Sequence, residues 1–146
     1  MRIPAKRTVM MMLMVCVFAL ALAVPASAAD QDYVLWNPAT NAVSHANASV
    51  DGPAVVTGTP GNYTIVITLK NEGTYMGITL PASYAYLNAN DDSNPDYEIS
   101  AVRSVAGGKT TFTISGVTSN TADLPIQLQT TVAGFHNAVH ELVIKW

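Results

Sequence analysis

Between Asn62 and Lys70 the chain alternates with a period of two. Tyr63, Ile65, Ile67 and Leu69 fall on one side, and Thr64, Val66, Thr68 and Lys70 on the other. Such alternation, rich in β-branched and aromatic side chains, predicts a strand with one face in a core. Shorter patterns of the same kind occur at Tyr33 to Trp36, Ala54 to Thr57, Tyr75 to Leu80, Tyr97 to Ser104, Lys109 to Ser115, Leu124 to Val132 and Ala138 to Trp146. Turn residues punctuate them at Thr59-Pro60-Gly61-Asn62, Asn71-Glu72-Gly73, Asn88 to Pro95, Ala106-Gly107-Gly108 and Gly134. No segment sustains a helical period, although the small residues of Ser44 to Val50, ahead of Asp51-Gly52-Pro53, predict a single helical or 3-10 turn. Seven or eight short strands at this spacing predict an all-β, immunoglobulin-like antiparallel β-sandwich.

The N-terminus breaks the pattern. Arg2, Lys6 and Arg7 form a basic region, Val9 to Val24 an apolar one, and Ala26-Ser27-Ala28 a small-residue cleavage signal. Residues 1–28 therefore read as a secretory signal peptide, and 29–146 as one exported domain, secreted or associated with the cell surface. Cys16 lies within the apolar stretch, where Leu13-Met14-Val15 is a poor match to a lipoprotein cleavage box. Behind Trp146 there is no sorting motif or hydrophobic tail, so release, or retention by a partner, is expected and a transmembrane segment is not.

Removing the leader alters the chemistry available. Lys70, Arg103, Lys109 and Lys145 are the cations left against ten carboxylates, a net charge of −6. Nothing there neutralises a run of phosphates, which argues against nucleic-acid binding. No cysteine remains, so thiolate catalysis, disulfides and Cys-rich zinc sites are excluded, and a domain of about 118 residues must be held by its core. No nucleophile with a base and an orienting group is visible, nor a paired-carboxylate arrangement, so an enzyme is not expected.

The candidate chemistry is histidine. Two of the three histidines, His136 and His140, open the last alternating stretch, on the same side as Ala138, Leu142, Ile144 and Trp146. On a strand their Cα atoms lie roughly 13 Å apart, so they would strain to share one ion unless Gly134 or a bulge kinks the backbone. One ligating histidine with the other as its neighbour, around a broad ligand, fits the spacing better; two idle histidines at a sheet edge are the plainer reading. Met76 is a candidate soft ligand or a core gap-filler. Asn90 to Asn94 with Asp96 is oxygen-rich but lacks the ligand spacing of an EF-hand, and reads as a solvated loop.

The tail H-x-x-x-H-x-L-x-I-x-W, His136 to Trp146, resembles the last strand of the NEAT (near-iron transporter) haem-binding domains of Gram-positive bacteria, typically Y-x-x-x-Y-x-V-x-I-x-F. Ser44 to Ala54, SHANASVDGPA, is similar to the family's S-x-A-N-x-Y-F-D-x-P-A stretch, and Gly61 to Asn71 and Gly107 to Ile114 resemble its second and central strands. The resemblance covers nearly all of Tyr33 to Trp146. It implies that His136 is the axial ligand of a haem iron and His140 the residue behind it. It further implies that Ser44 bonds a haem propionate and that His45 sits on the distal side as a candidate sixth ligand. Capture of haem and its transfer to other haem-transfer proteins at the cell surface would be the function. Both family tyrosines are histidines here and Ser49 replaces a third, so a neutral imidazole, which suits either oxidation state, stands where a ferric-selective phenolate is usual. Iron held by two imidazoles has no open position, which favours carriage over turnover. Two alternatives stand beside this reading: an exported site for a bare divalent ion such as zinc or copper, which requires converging imidazoles, and a structural or adhesive module with idle histidines. An apolar slot beside His136 would favour haem.

Overall fold

The computed structural model describes residues 28–134 and 136–146; nearly all of the signal-peptide reading lies outside them. Twelve strands and one 3-10 turn follow in order: β1 (Ala29–Gln31), β2 (Val34–Asn37), β3 (Ala42–Val43), the 3-10 turn (His45–Ser49), β4 (Ala54–Thr59), β5 (Asn62–Lys70), β6 (Glu72–Tyr75), β7 (Ile78–Ala89), β8 (Ile99–Ser100), β9 (Val102–Ala106), β10 (Lys109–Val117), β11 (Leu124–Val132) and β12 (His136–Lys145). They form two antiparallel sheets, one in the order β1-β4-β5-β10-β9, the other β3-β2-β12-β11-β7-β6 with β8 beside β7. The expected β-sandwich is present. The excess over seven or eight strands comes from two- to four-residue pieces, β1, β3, β6 and β8, too short to show alternation.

The inward side chains are those the alternation singles out. Ile65, Ile67 and Leu69 of β5, Phe112 and Ile114 of β10, Ile126 and Leu128 of β11, and Leu142 and Ile144 of β12 are sealed from solvent, together with Leu35, Tyr84 and Leu87. Tyr84 is central; its hydroxyl donates to the Lys70 carbonyl at 3.3 Å, and burial first, then Tyr75, pushes its pKa up to about 12. The stretch Tyr97 to Ser104 is two strands, because the chain leaves the second sheet at Ser100 and joins the first at Val102. Likewise Tyr75 to Leu80 is not one strand. Met76 and Gly77, both at positive φ (51° and 82°), make a two-residue hairpin turn between β6 and β7.

Two features position the site. β7 pairs with β6 through Ile78–Pro81 and with β11 from Ala82 to Ala89, so the β6–β7 hairpin projects past the end of β11. The 3-10 turn is fixed at the same end. Asn47 N–H donates to Ser44 O at 3.0 Å and Val50 N–H to Asn47 O at 3.1 Å, the three-residue spacing of a 3-10 turn. Ser44 N–H donates to Leu35 O (2.8 Å), and Leu35 N–H to the Asn47 side-chain oxygen (2.8 Å), which ties the turn to β2.

Candidate functional site

A cavity of about 380 Å³ opens where these pieces meet. Ser44, His45 and Ala46 of the 3-10 segment form one wall, Tyr75 and Leu80 of the β6–β7 hairpin another, and Thr130, Val132, Ala133, His136 and His140 of the β11–β12 hairpin the floor, with Asn37 at the edge. All four residues singled out by the sequence, Ser44, His45, His136 and His140, thus border one space. So do all three histidines of the chain.

The floor is a regular ladder. Val132 faces His136, Thr130 faces Ala138, and Leu128 faces His140, with no register shift along the pairing. Directly paired residues of an antiparallel ladder share a face, so the row that seals the core at Leu142 and Ile144 runs outward through half-buried His140 to exposed His136. At its exposed end this row borders the cavity. Gly134 does not kink β12; with Ala133, also at positive φ, it turns the chain between β11 and β12. The two histidines therefore keep the full spacing of an extended strand, roughly 13 Å between Cα atoms.

Electrostatics separate the histidines. Burial first, and the proximity of His136 second, hold the His140 imidazole below its ordinary pKa of 6.5, so that it is neutral at physiological pH. A neutral imidazole has a free lone pair for a metal or a hydrogen-bond donor. On the 3-10 segment Ser44 caps the turn by accepting the Ala46 N–H at 3.2 Å, which leaves its hydroxyl proton free to donate to a ligand.

Met76 lies outside the cavity lining, fully exposed at the tip of the β6–β7 turn. The oxygen-rich run is closed on itself: Asn90 accepts from Asp92 N–H (3.0 Å), Asp92 from Asn94 N–H (2.7 Å), and Asp91 from Thr118 N–H (2.7 Å). Tyr75 and Thr130 border the cavity without having been singled out by the sequence. Tyr75 owes its place to a hairpin that reads as one strand. Thr130 carried a signal, a hydroxyl on the apolar side of an alternating stretch between Leu128 and Val132.

For a large planar ligand the residues are suitable: imidazoles from both the 3-10 turn and β12, a lining that includes Ala46, Leu80, Val132 and Ala133, and a free hydroxyl proton at Ser44. For a bare ion they are less so, since among the described residues no three His, Cys, Asp or Glu side chains gather as a metal site.

No family model matches the chain, and no curated protein sequence does. Among solved structures the arrangement is similar to that of NEAT domains, so in fold the molecule is a NEAT-like β-sandwich. One such structure is the NEAT5 domain of IsdX2, a B. anthracis hemophore, in complex with heme (TM-score 0.62, 14% identity, 83% of this chain and 95% of that chain). Another is a mutant of the same domain, also in complex with heme (TM-score 0.62, 14% identity, 84% of this chain and 95% of that chain). At this identity the likeness is one of fold.

Proposed function

We propose that this chain is an exported haem-binding protein that captures haem and hands it on, with haem held between the 3-10 turn and the β11–β12 hairpin. The observation that carries the reading is the convergence of every histidine of a three-histidine chain on one cavity. That this cavity lies in a sandwich similar to heme-bound domains supports it.

Each residue then has a role set by its position. His136, the most solvent-accessible point of the inward row on β12, ligates the iron. His140 stands behind it, neutral and half-buried. Ser44 would donate its hydroxyl proton to a propionate, and His45, on the 3-10 turn, would be a candidate second ligand of the iron. Val132, Leu80 and Ala46 exclude water from the face of the ring. These residues would hold haem, which when bound would supply an iron centre whose potential the ligating imidazoles would tune. With three imidazoles and no carboxylate in the lining, the residues favour carriage over catalysis. Residues 1–28 would direct export and 29–146 form the functional domain. The acceptors would be other haem-transfer proteins at the cell surface.

The bare-ion alternative is weaker on geometry. His136 and His140 lie too far apart on an unkinked strand to share zinc or copper, and no carboxylate joins the lining. Two titrations of the chain beginning at Ala29 separate the readings. Hemin should give a saturable one-to-one spectrum and zinc a negligible heat, and holo-protein mixed with excess apomyoglobin should lose its haem. Stoichiometric zinc binding at two or more histidines, with hemin left free, would overturn the proposal.

A further inference from the structure

Among the described residues three buried oxygens have no hydrogen-bond partner: Tyr33 Oη, Ser49 Oγ and Thr130 Oγ1. Only Thr130 borders the cavity. Its side chain is 3% exposed, so water does not satisfy the hydroxyl, and an orphan of this kind costs stability unless something else uses it.

The ladder suggests what does. Thr130 is paired with Ala138, which lies midway between His136 and His140, so Thr130 is the diagonal cross-strand neighbour of both histidines on the same face. Diagonal neighbours are about 7–8 Å apart, whereas the histidines are roughly 13 Å from one another along β12. Two imidazoles meet directly over that distance only when both are stretched along the strand. The Ala138 methyl leaves the space between them open. A threonine hydroxyl both accepts and donates, and the imidazoles need one of each. An imidazole that ligates through one nitrogen carries a proton on the other that requires an acceptor, and neutral His140 offers a lone pair.

We propose that Thr130 is a positioning residue that joins the two histidines when haem is bound: its Oγ1 accepts the N–H of iron-ligating His136 and donates its own proton to His140. The hydroxyl thereby fixes the His136 ring orientation and raises the basicity of the ligand, and this role rests on the haem reading given above. Nothing touches haem through Thr130 itself. Its partner on the other side, Tyr84, is already committed to the Lys70 carbonyl, so the hydroxyl remains free for the histidines.

Thr130→Val deletes the hydroxyl with little change in shape, and Thr130→Ser restores it. Without hemin, the urea midpoint of Thr130→Val should equal or exceed that of the wild type, because an unpaired buried hydroxyl has been removed. With hemin, Thr130→Val should release haem roughly tenfold faster, the lower end of what loss of such a partner costs a metal site. Its reduction potential should shift positive, since the ligand has become less electron-rich, and Thr130→Ser should return both quantities toward the wild type. A lower urea midpoint in hemin-free Thr130→Val would mean that the hydroxyl is already paired, and would overturn the proposal. So would wild-type haem release and potential in Thr130→Val, with the haem reading intact. A wild-type chain that does not bind hemin would overturn that reading and this proposal together.

Discussion

His140 is held below its ordinary pKa by burial and by its neighbour His136, and both causes can be removed. Replacing His136 with alanine deletes the neighbouring charge and opens His140 to water, so the His140 pKa should rise toward 6.5 in an NMR titration. The same depression makes stability pH-dependent. The unfolded chain binds a proton on this imidazole more readily than the folded chain does, so stability is fully present above 6.5. It falls as the pH drops from 6.5 toward the lower folded value, then levels off. The urea midpoint of the wild type should therefore fall more between pH 7.5 and pH 5 than that of His140→Gln. Equal losses would show that His140 is not the group responsible. At this scale the sequence was informative because histidine is scarce: three were present and all three border the cavity. Thr130 was less legible. Its position on the apolar side of β11 was visible, but only packing shows that its hydroxyl lacks a partner.

Among the elements, strands with clean alternation were readable and others were not: the longest, β7, falls largely outside the stretches that alternation marked, because Pro81 and a bulge opposite Leu128 to Thr130 break its period. β5, β10 and β11 are each nine residues long and alternate over seven or more of them, enough for period two to stand out. The β6–β7 hairpin was hidden for two reasons: Asn71-Glu72-Gly73 has turn composition yet opens a strand, and Met76-Gly77 sits inside an apolar run yet makes the turn. That hairpin builds a wall of the site, so missing it meant missing Tyr75. Two substitutions probe it. Met76 occupies a left-handed conformation without packing against anything, so Met76→Asn, which creates the Asn-Gly pair preferred in such turns, should stabilise the fold by about 0.5–1 kcal/mol and leave hemin binding unchanged. Loss of the low-spin spectrum in that variant would restore methionine as a ligand. Gly73→Ala acts in the opposite direction. A Cβ there would lie 2.7 Å from Ser49 Oγ and 2.9 Å from the Tyr75 ring, so Tyr75 must shift. The expected cost is about 1–3 kcal/mol by chemical denaturation, with weakened hemin affinity as the wall moves.

In the whole molecule, stability and the proposed haem site draw on opposite ends of one inward row. Leu142 and Ile144 close the core between the sheets, while His140 and His136 continue the same face to its exposed end at the cavity. Core and surface should differ sharply in response. Phe112→Ala, which empties a fully buried ring position, should cost about 3–5 kcal/mol. Lys109→Ala breaks the 2.6 Å contact with Asp51 but leaves both groups in reach of water, and should cost about 0–1 kcal/mol. A ligand that binds only the folded sandwich should also raise its melting temperature with concentration, which separates specific binding from the surface adsorption to which hemin is prone.

Ligation of haem iron by His136 is decided by the Soret absorbance of His136→Ala titrated with hemin beside the wild type, His140→Ala and His45→Ala. The expected result is a saturable one-to-one band in the wild type that is lost in His136→Ala, weakened in His140→Ala, and changed from low-spin to high-spin in His45→Ala. A full-strength, wild-type band in His136→Ala would contradict it.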